Sequence, residues 1–472
     1  MDRHEKFLRM TTQPVEKLVG QLAVPTIATM LVTAFYNMAD TFFVGLLHNT
    51  SATGAVGVVF SFMAIIQACG FFFGQGTGNH ISRYLGQERP EEAGRLAAIG
   101  FFSALIVGGV IMGLGLVFLN PLARVLGSTE TILPYARSYL RIILFGAPYM
   151  TASLMLNNLL RYQGNAFYSM LGIGFGAVLN VGLDPLFIFG FRMGIAGAAA
   201  ATVLSQLVSF CLLLFFCSRG DNLRIRVSLF RPHWTDYRLI LRCGLPTLCR
   251  QGLASLSTIC LNRMAGLYGA DAAIAAMSVA TKITGLAFSA VLGFGQGFQP
   301  VCGFNFGAGR YSRVRRAYWF CVKVGTAFLL VASALGFWLA PQLVGLFSDD
   351  PAVLRIGAVS LRLQWVSFPL AAWITLSNML LQNIGKVGRA SFLSMARQGV
   401  FFIPLVVLLP LALSRVPGMS ALLGVQLAQP LADVCTFACA VPLSVSVLRA
   451  FGADAPASDT AAEDGETETL EP

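Results

Sequence analysis

Charge is scarce in this chain. Only 12% of its 472 residues are Asp, Glu, Lys or Arg, while 56% are hydrophobic; soluble domains carry roughly 25% charged residues. That balance excludes a soluble globular enzyme. Histidine is nearly absent as well: His4, His48, His80 and His233 are scattered at or near the ends of apolar runs, which argues against a structural metal site. The ten cysteines include no Cys-x-x-Cys pair and no adjacent His, and most lie inside apolar runs, so they read as small packing residues. No polar stretch between the runs is long enough to fold as a catalytic domain, so neither an enzyme nor a cofactor is expected. No cleavage-site pattern follows the mixed charges of residues 1–17, and the first apolar run is expected to stay as an anchor.

Long apolar runs are what the chain has in abundance. Twelve of about 20 or more residues can be read between residues 18 and 448, each able to cross a hydrocarbon core of about 30 Å as a helix. The expected class is an all-α membrane protein with twelve transmembrane helices in two pseudo-symmetric six-helix lobes. A cytoplasmic N-terminus (1–17) leads to an N-lobe (18–216), a basic linker (217–238) held at the headgroups by Arg224, Arg226 and Arg231, a C-lobe (239–448) and an acidic, disordered tail (449–472). Of the Lys and Arg at span ends and in connections, 21 fall on one side and five, Arg124, Arg137, Arg192, Arg355 and Arg415, on the other. Basic residues stay on the cytoplasmic side, so both termini are expected there. The net charge of +11 then reflects topology and attraction to anionic lipid headgroups, not nucleic-acid binding.

The two halves match at a constant offset of 221 residues over about 140 positions without a gap. Pro25 pairs with Pro246, Phe73-Gly74-Gln75-Gly76 with Phe294-Gly295-Gln296-Gly297, Gly86 with Gly307, Asn157 with Asn378 and Gly164 with Gly385. Pro, Gly and polar residues coincide by accident less easily than Leu or Ala in an apolar chain. Duplication of this kind is how many transporters build a cavity that opens to either side. Gly74-Gln75-Gly76-Thr77-Gly78 is superficially like a phosphate-binding loop, but no strand precedes it and its repeat is also inside a span.

An ionisable side chain deep in a span is costly unless it faces a cavity or a partner, so each marks a candidate site. Asp40, Asp184 and Asp433 qualify. Tyr36, Asn37 and Asp40 share one helical face, and Asn180 lies one turn from Asp184. Pro185 cannot donate to the carbonyl of Val181, which leaves another oxygen free beside the acid. Such a cluster resembles a ligand shell for a small cation. The positions 221 residues further on, Leu261 and Leu405, are apolar, so the acid pair belongs to one lobe and is not needed for the shared scaffold. An alternative use of Asp184-Pro185 is as a helix cap near the outer face.

Three segments then make a specific resemblance. Arg161-Tyr162-Gln163-Gly164-Asn165 and Asn180-Val181-Gly182-Leu183-Asp184-Pro185, followed by Gly194-Ile195-Ala196-Gly197-Ala198-Ala199, resemble the multidrug and toxic compound extrusion (MATE) family, in its bacterial branches related to DNA-damage-inducible and staphylococcal multidrug exporters. The resemblance, over roughly residues 15–448, implies a V of two lobes in a bacterial inner membrane. It also implies a secondary active antiporter, expected to be monomeric, that exports amphipathic, often cationic, drugs in exchange for H⁺ or Na⁺. It places the cation site at Asp40, Asn180, Asp184 and Thr202, the last of which looks ordinary otherwise. Tyr36, Asn37, Tyr139 and Asn157 are implied as surrounding or cavity-lining residues, and no metal is expected beyond Na⁺. Pro25, which leaves the carbonyl of Gln21 without its donor, is the expected hinge of the first helix. Arg250, Arg263, Lys282 and Arg362 depart from branches that carry acids in the C-lobe. Were those four to converge on a cavity, a flippase of lipid-linked saccharides or an exporter of another anionic amphiphile would be the alternative. An intramembrane aspartyl protease is disfavoured because the chain lacks the Gly-x-Gly-Asp pattern.

Overall fold

The computed structural model describes residues 3–47, 49–219 and 222–453. After a short helix, Arg3–Thr12, the first half runs through α1 (Val15–Gly45), α2 (Thr50–Gly86), α3 (Pro90–Val117), α4 (Leu133–Tyr162), α5 (Ala166–Pro185) and α6 (Ile195–Ser218). The second half opens with one helical stretch, Trp234–Gly307, that turns back at Ala270 (φ 53°, ψ −158°). It is therefore two helices, α7 (234–269) and α8 (271–307). They are followed by α9 (Tyr311–Trp338), α10 in two pieces (Pro351–Ser367 and Leu370–Asn383), α11 (Val387–Met395 and Phe402–Leu413, joined by a π-helical turn) and α12 (Ala421–Ala453). Ten helical stretches among the described residues are long and apolar enough to span a membrane. Separating α7 from α8 and joining the pieces of α10 gives the twelve expected.

The 221-residue offset extends to helix ends. Residues 90–117 of α3 become 311–338 of α9, the short helices Leu119–Val125 and Ala340–Gly345 start 221 apart, and so do α5 and α11. The turns before α5 and α11 each hinge on a glycine with positive φ, Gly164 (82°) and Gly385 (80°), where a Cβ would be strained. Matched side chains also repeat a tie between helices. Asn157 Nδ2 donates to the Ser169 carbonyl at 3.3 Å, and Asn378 Nδ2 donates to the Ala390 carbonyl at 2.8 Å. The register changes only later, since α6 and α12 begin at Ile195 and Ala421.

The lobes meet at the end of the helices that carries most of the Lys and Arg. Gly86 of α2 packs against the backbone of Phe304 in α8, and Gly307 of α8 packs against the backbone of Arg83 in α2. Gly76 likewise rests on the backbone of Ile240 and Gly244 in α7, and Gly297 on that of Ala23 in α1. A Cβ at any of these would enter the other lobe's main chain, so close helix approach depends on the missing side chain. The N-terminal segment latches the same end: Arg310 and Arg313 donate to the carbonyls of Thr11 (2.8 Å) and Gln13 (2.6 Å), and Arg316 pairs with Glu16 at 2.7 Å.

Some expected boundaries shift. The helices outrun their apolar windows: α2 continues to Gly86, α7 starts at Trp234 and α8 ends at Gly307, because exposed or paired polar turns extend them beyond the hydrocarbon. The linker does not simply float among headgroups. Leu223, Ile225 and Phe230 pack into the N-lobe core, the Leu223 amide donates to Gln163 Oε1 at 2.8 Å, and Asp236 pairs with Arg95 at 3.0 Å. The acidic tail, from residue 454 on, lies outside the described residues.

Candidate functional site

Four helices of the N-lobe bring polar groups to one place. From α1 come Tyr36 and Asp40, from α4 Tyr139, from α5 Asn180 and Asp184, and from α6 Thr202 and Gln206. Asp184, Asn180 and Thr202 are 0%, 1% and 2% exposed, so bulk water does not serve them. Tyr36 and Tyr139 are buried, and Asp40 is half-buried. The carboxylates of Asp40 and Asp184 lie within electrostatic reach of each other and of both tyrosine hydroxyls, and Gln206 reaches the hydroxyl of Tyr36.

The cluster's own hydrogen bonds are few and long. Asn180 Nδ2 donates to Asp184 Oδ1 at 3.5 Å and to Thr202 Oγ1 at 3.4 Å, the outer limit for such bonds. Asp40 Oδ1, Asp184 Oδ2 and Asn180 Oδ1 are buried without any hydrogen-bond partner among the described residues. Buried polar atoms are rarely left so, and no salt bridge reaches either acid among the described residues. Three free oxygens from three residues, beside a hydroxyl on Thr202, form a donor set suited to a proton or a hard cation that prefers oxygen. Pro185 ends the regular α5 hydrogen bonding, and a π-helical turn, Leu186–Gly190, follows directly. The acid therefore sits at an irregular point of the helix and does not serve as its N-terminal cap.

The equivalent place in the C-lobe has apolar residues at the matching positions, and Leu261, Met277, Phe402 and Val425 there also wall a cavity. Leu261 and Leu405, the counterparts of the acids, and Phe401, that of Asn180, pack around Ala265, Met277, Phe402, Val406 and Val425. The scaffold is shared, and the oxygen cluster belongs to one lobe.

Of the residues expected from sequence, Asp40, Asn180, Asp184, Thr202, Tyr36 and Tyr139 come together. Asn37 is in α1, but its side chain lies outside the described residues. Asn157 is not brought there. It is 18 residues from Tyr139 along α4, about 27 Å at 1.5 Å per residue, and its amide is spent on Ser169, with 2.6 Å to the hydroxyl. Pro25 lies within a continuous α1. Its neighbour Thr26 donates to the Gly293 carbonyl of α8 at 2.6 Å, so the expected hinge adjoins the contact between lobes.

The C-lobe holds a different polar site. Arg397, in the π-helical turn Ala396–Val400, donates to Asp433 at 2.7 and 3.5 Å, while Gln429 and Ser367 donate to the same carboxylate at 2.9 and 3.3 Å. Asp433 is thus fully engaged. Two adjoining cavities, of about 150 and about 270 Å³, share Arg397, Gln398 and Phe288 as walls, and the larger is also lined by Arg250. The four basic residues singled out from sequence therefore do not converge. Arg263 and Lys282 are exposed, and Arg362 rests against Phe337, whose carbonyl it donates to at 3.3 Å. Arg397 went unnoticed, although the rule that flags acids in apolar runs applies equally to bases.

The MatE family model matches residues 25–186 and again 246–408, once per lobe. Multidrug export protein MepA of Staphylococcus aureus is 25% identical over 407 residues, covering 86% of this chain and 89% of that protein. Among solved structures, one described as the outward-facing conformation of a multidrug resistance MATE family transporter superposes with a TM-score of 0.88 at 26% identity, covering 94% of this chain and 98% of the other. A MATE in a bent conformation superposes with a TM-score of 0.86 at 26% identity, over 95% of this chain and 99% of the other.

Proposed function

The chain belongs to the MatE family, and on that premise we propose that it is a multi-pass exporter of amphipathic organic compounds, driven by H⁺ or Na⁺ entering a bacterial cell. The observation that carries this reading is the group of unpartnered buried oxygens on Asp40, Asn180 and Asp184. Two carboxylates in one low-dielectric pocket cannot both stay ionised cheaply, so the pocket favours holding one proton, or one Na⁺ gathered by both. Thr202 Oγ1 supplies a further oxygen for Na⁺. The multidrug export function of the S. aureus relative supports the cargo class.

The route from ion to cargo runs along α1. Asp40 lies 13 residues beyond Ile27 on this helix, and Ile27 and Ala23 are the α1 residues against which Gly293 and Gly297 of α8 pack. Neutralising Asp40 changes what α1 gains by pointing its acid at Asp184, and the same helix carries the contact that closes the lobes at their basic end. Pro25, with no donor for the Gln21 carbonyl, is where α1 can bend without losing a further hydrogen bond. On this reading the basic end faces the cytoplasm and the lobe contacts at Gly86 and Gly307 close that side, and ion binding favours a state with lower affinity for cargo. Coupling exists only to the extent that ion and cargo prefer different states.

Everted vesicles test this with ethidium efflux under a pure Na⁺ gradient and, separately, a pure proton gradient. Asp40→Asn and Asp184→Asn are expected to abolish gradient-driven efflux under whichever gradient drives the wild type. Undiminished transport in both variants refutes the site.

A further inference from the structure

Arg250 is a guanidinium inside the membrane with no acid to neutralise it. It lines the larger cavity, and no hydrogen bond or salt bridge engages its guanidinium among the described residues. Arg397 lines the same cavity and is close enough to repel it, but Arg397 is already matched by Asp433 at 2.7 Å. Three charged residues line the two cavities, Arg250, Arg397 and Asp433. They leave one positive charge over. An intramembrane cation without a partner is costly, and the cost is removed when an anion enters.

A second observation points into the same space. Gln299, 0% exposed, lines this cavity with both its amide nitrogen and its amide oxygen unpartnered. Gln75, contributed by the N-lobe, spends its Oε1 on Thr247 at 2.6 Å, which turns its NH₂ to further use. Amide donors beside a free guanidinium suit a planar carboxylate, which accepts two parallel N–H bonds from Arg. The opposite walls are apolar: Phe288, Leu292, Ile374, Met379 and Leu393. A volume of about 270 Å³ takes part of a drug-sized molecule.

We infer that the cavity formed by Arg250, Gln299 and Gln75 binds the carboxylate of an anionic or zwitterionic amphiphile, whose apolar body lies against Phe288 and Leu292. The inference deepens the exporter reading and rests on it for the direction of movement only. The cation site of the N-lobe and the carboxylate site of the C-lobe are then separate, so ion and cargo do not compete for one acid.

Equilibrium binding to purified full-length protein in phosphatidylcholine nanodiscs, with no ion gradient, tests the site. The probes are norfloxacin, which carries a carboxylate, and its methyl ester. The wild type is expected to bind the acid at least tenfold more tightly than the ester, the range of a charge-assisted hydrogen bond. Arg250→Gln is expected to erase that preference and Arg250→Lys to restore part of it, with monodispersity and melting temperature recorded for each. Equal affinity for acid and ester in the wild type overturns the inference without involving any variant. Displacement of norfloxacin by phosphatidylglycerol added to the nanodisc assigns the site to a lipid headgroup and overturns it as well. Because no transport is measured, absence of gradient-driven ethidium efflux in the wild type would sink the antiport reading while leaving this result standing.

Discussion

Gly86→Ala is a small change with a large expected effect. A Cβ at position 86 would run into the carbonyl of Phe304, a backbone atom of the other lobe, and Gly307→Ala would do the same to Arg83. A flexible side chain could swing aside, but the main chain of a packed helix cannot. Overpacking of this sort costs about 1–3 kcal/mol. The whole cost falls on the state in which the lobes touch, since separated lobes have room for the methyl. The equilibrium between closed and open should therefore shift by about 5- to 150-fold toward opening at the basic end. Cys243 and Cys302 report it without engineering. Both are buried, at 1% and 0% exposure, and Cys243 lies 3.3 Å from His80 across the contact. Alkylation of these two thiols by a maleimide applied to everted vesicles, followed by peptide mass spectrometry, should accelerate by that factor in Gly86→Ala and Gly307→Ala. Gly109→Ala, with nothing within 4 Å of its added Cβ, should match the wild type. If Gly86→Ala labels no faster than Gly109→Ala, the reasoning about the closed contact is wrong.

Thr202→Val should raise the Na⁺ concentration for half-maximal transport by about fivefold, the loss of one hydroxyl ligand worth about 1 kcal/mol, while leaving proton-driven efflux largely intact; ion titrations of vesicle efflux check it. Asp433→Asn leaves Arg397 buried without its counter-ion and should lower stability by about 3–5 kcal/mol, more than Asn157→Ala, which removes a neutral tie worth about 1 kcal/mol. Chemical denaturation in micelles, with Arg397→Gln completing a double-mutant cycle, measures both. Arg313→Ala removes the donor to the Gln13 carbonyl and should speed tryptic cleavage after Arg9, seen by intact-mass analysis.

Asp40 and Asp184 were legible because an acid in an apolar run is expensive, and their apolar counterparts at 261 and 405 showed that the scaffold does without them. Thr202 was not legible from chemistry, since a threonine in a small-residue helix serves equally well as packing. Asn157 misled for the opposite reason. A polar side chain in a span needs a partner, and its partner turned out to be the Ser169 carbonyl of the next helix, a need set by backbone geometry that no spacing reveals. Twelve spans were readable from hydropathy, but their ends were not, because hydropathy stops at the hydrocarbon boundary while hydrogen bonding carries α2 and α7 through polar turns. The fold back at Ala270 has no proline, and its positive φ falls on an alanine.

The crossed glycine contacts have one more implication. Position 86 touches 304 and position 307 touches 83, so each half of the chain presents both surfaces of the same handshake, as in an isologous dimer. Joining the halves in one chain lets positions 40 and 184 be Asp where 261 and 405 are Leu, an asymmetry closed to any pair of identical chains.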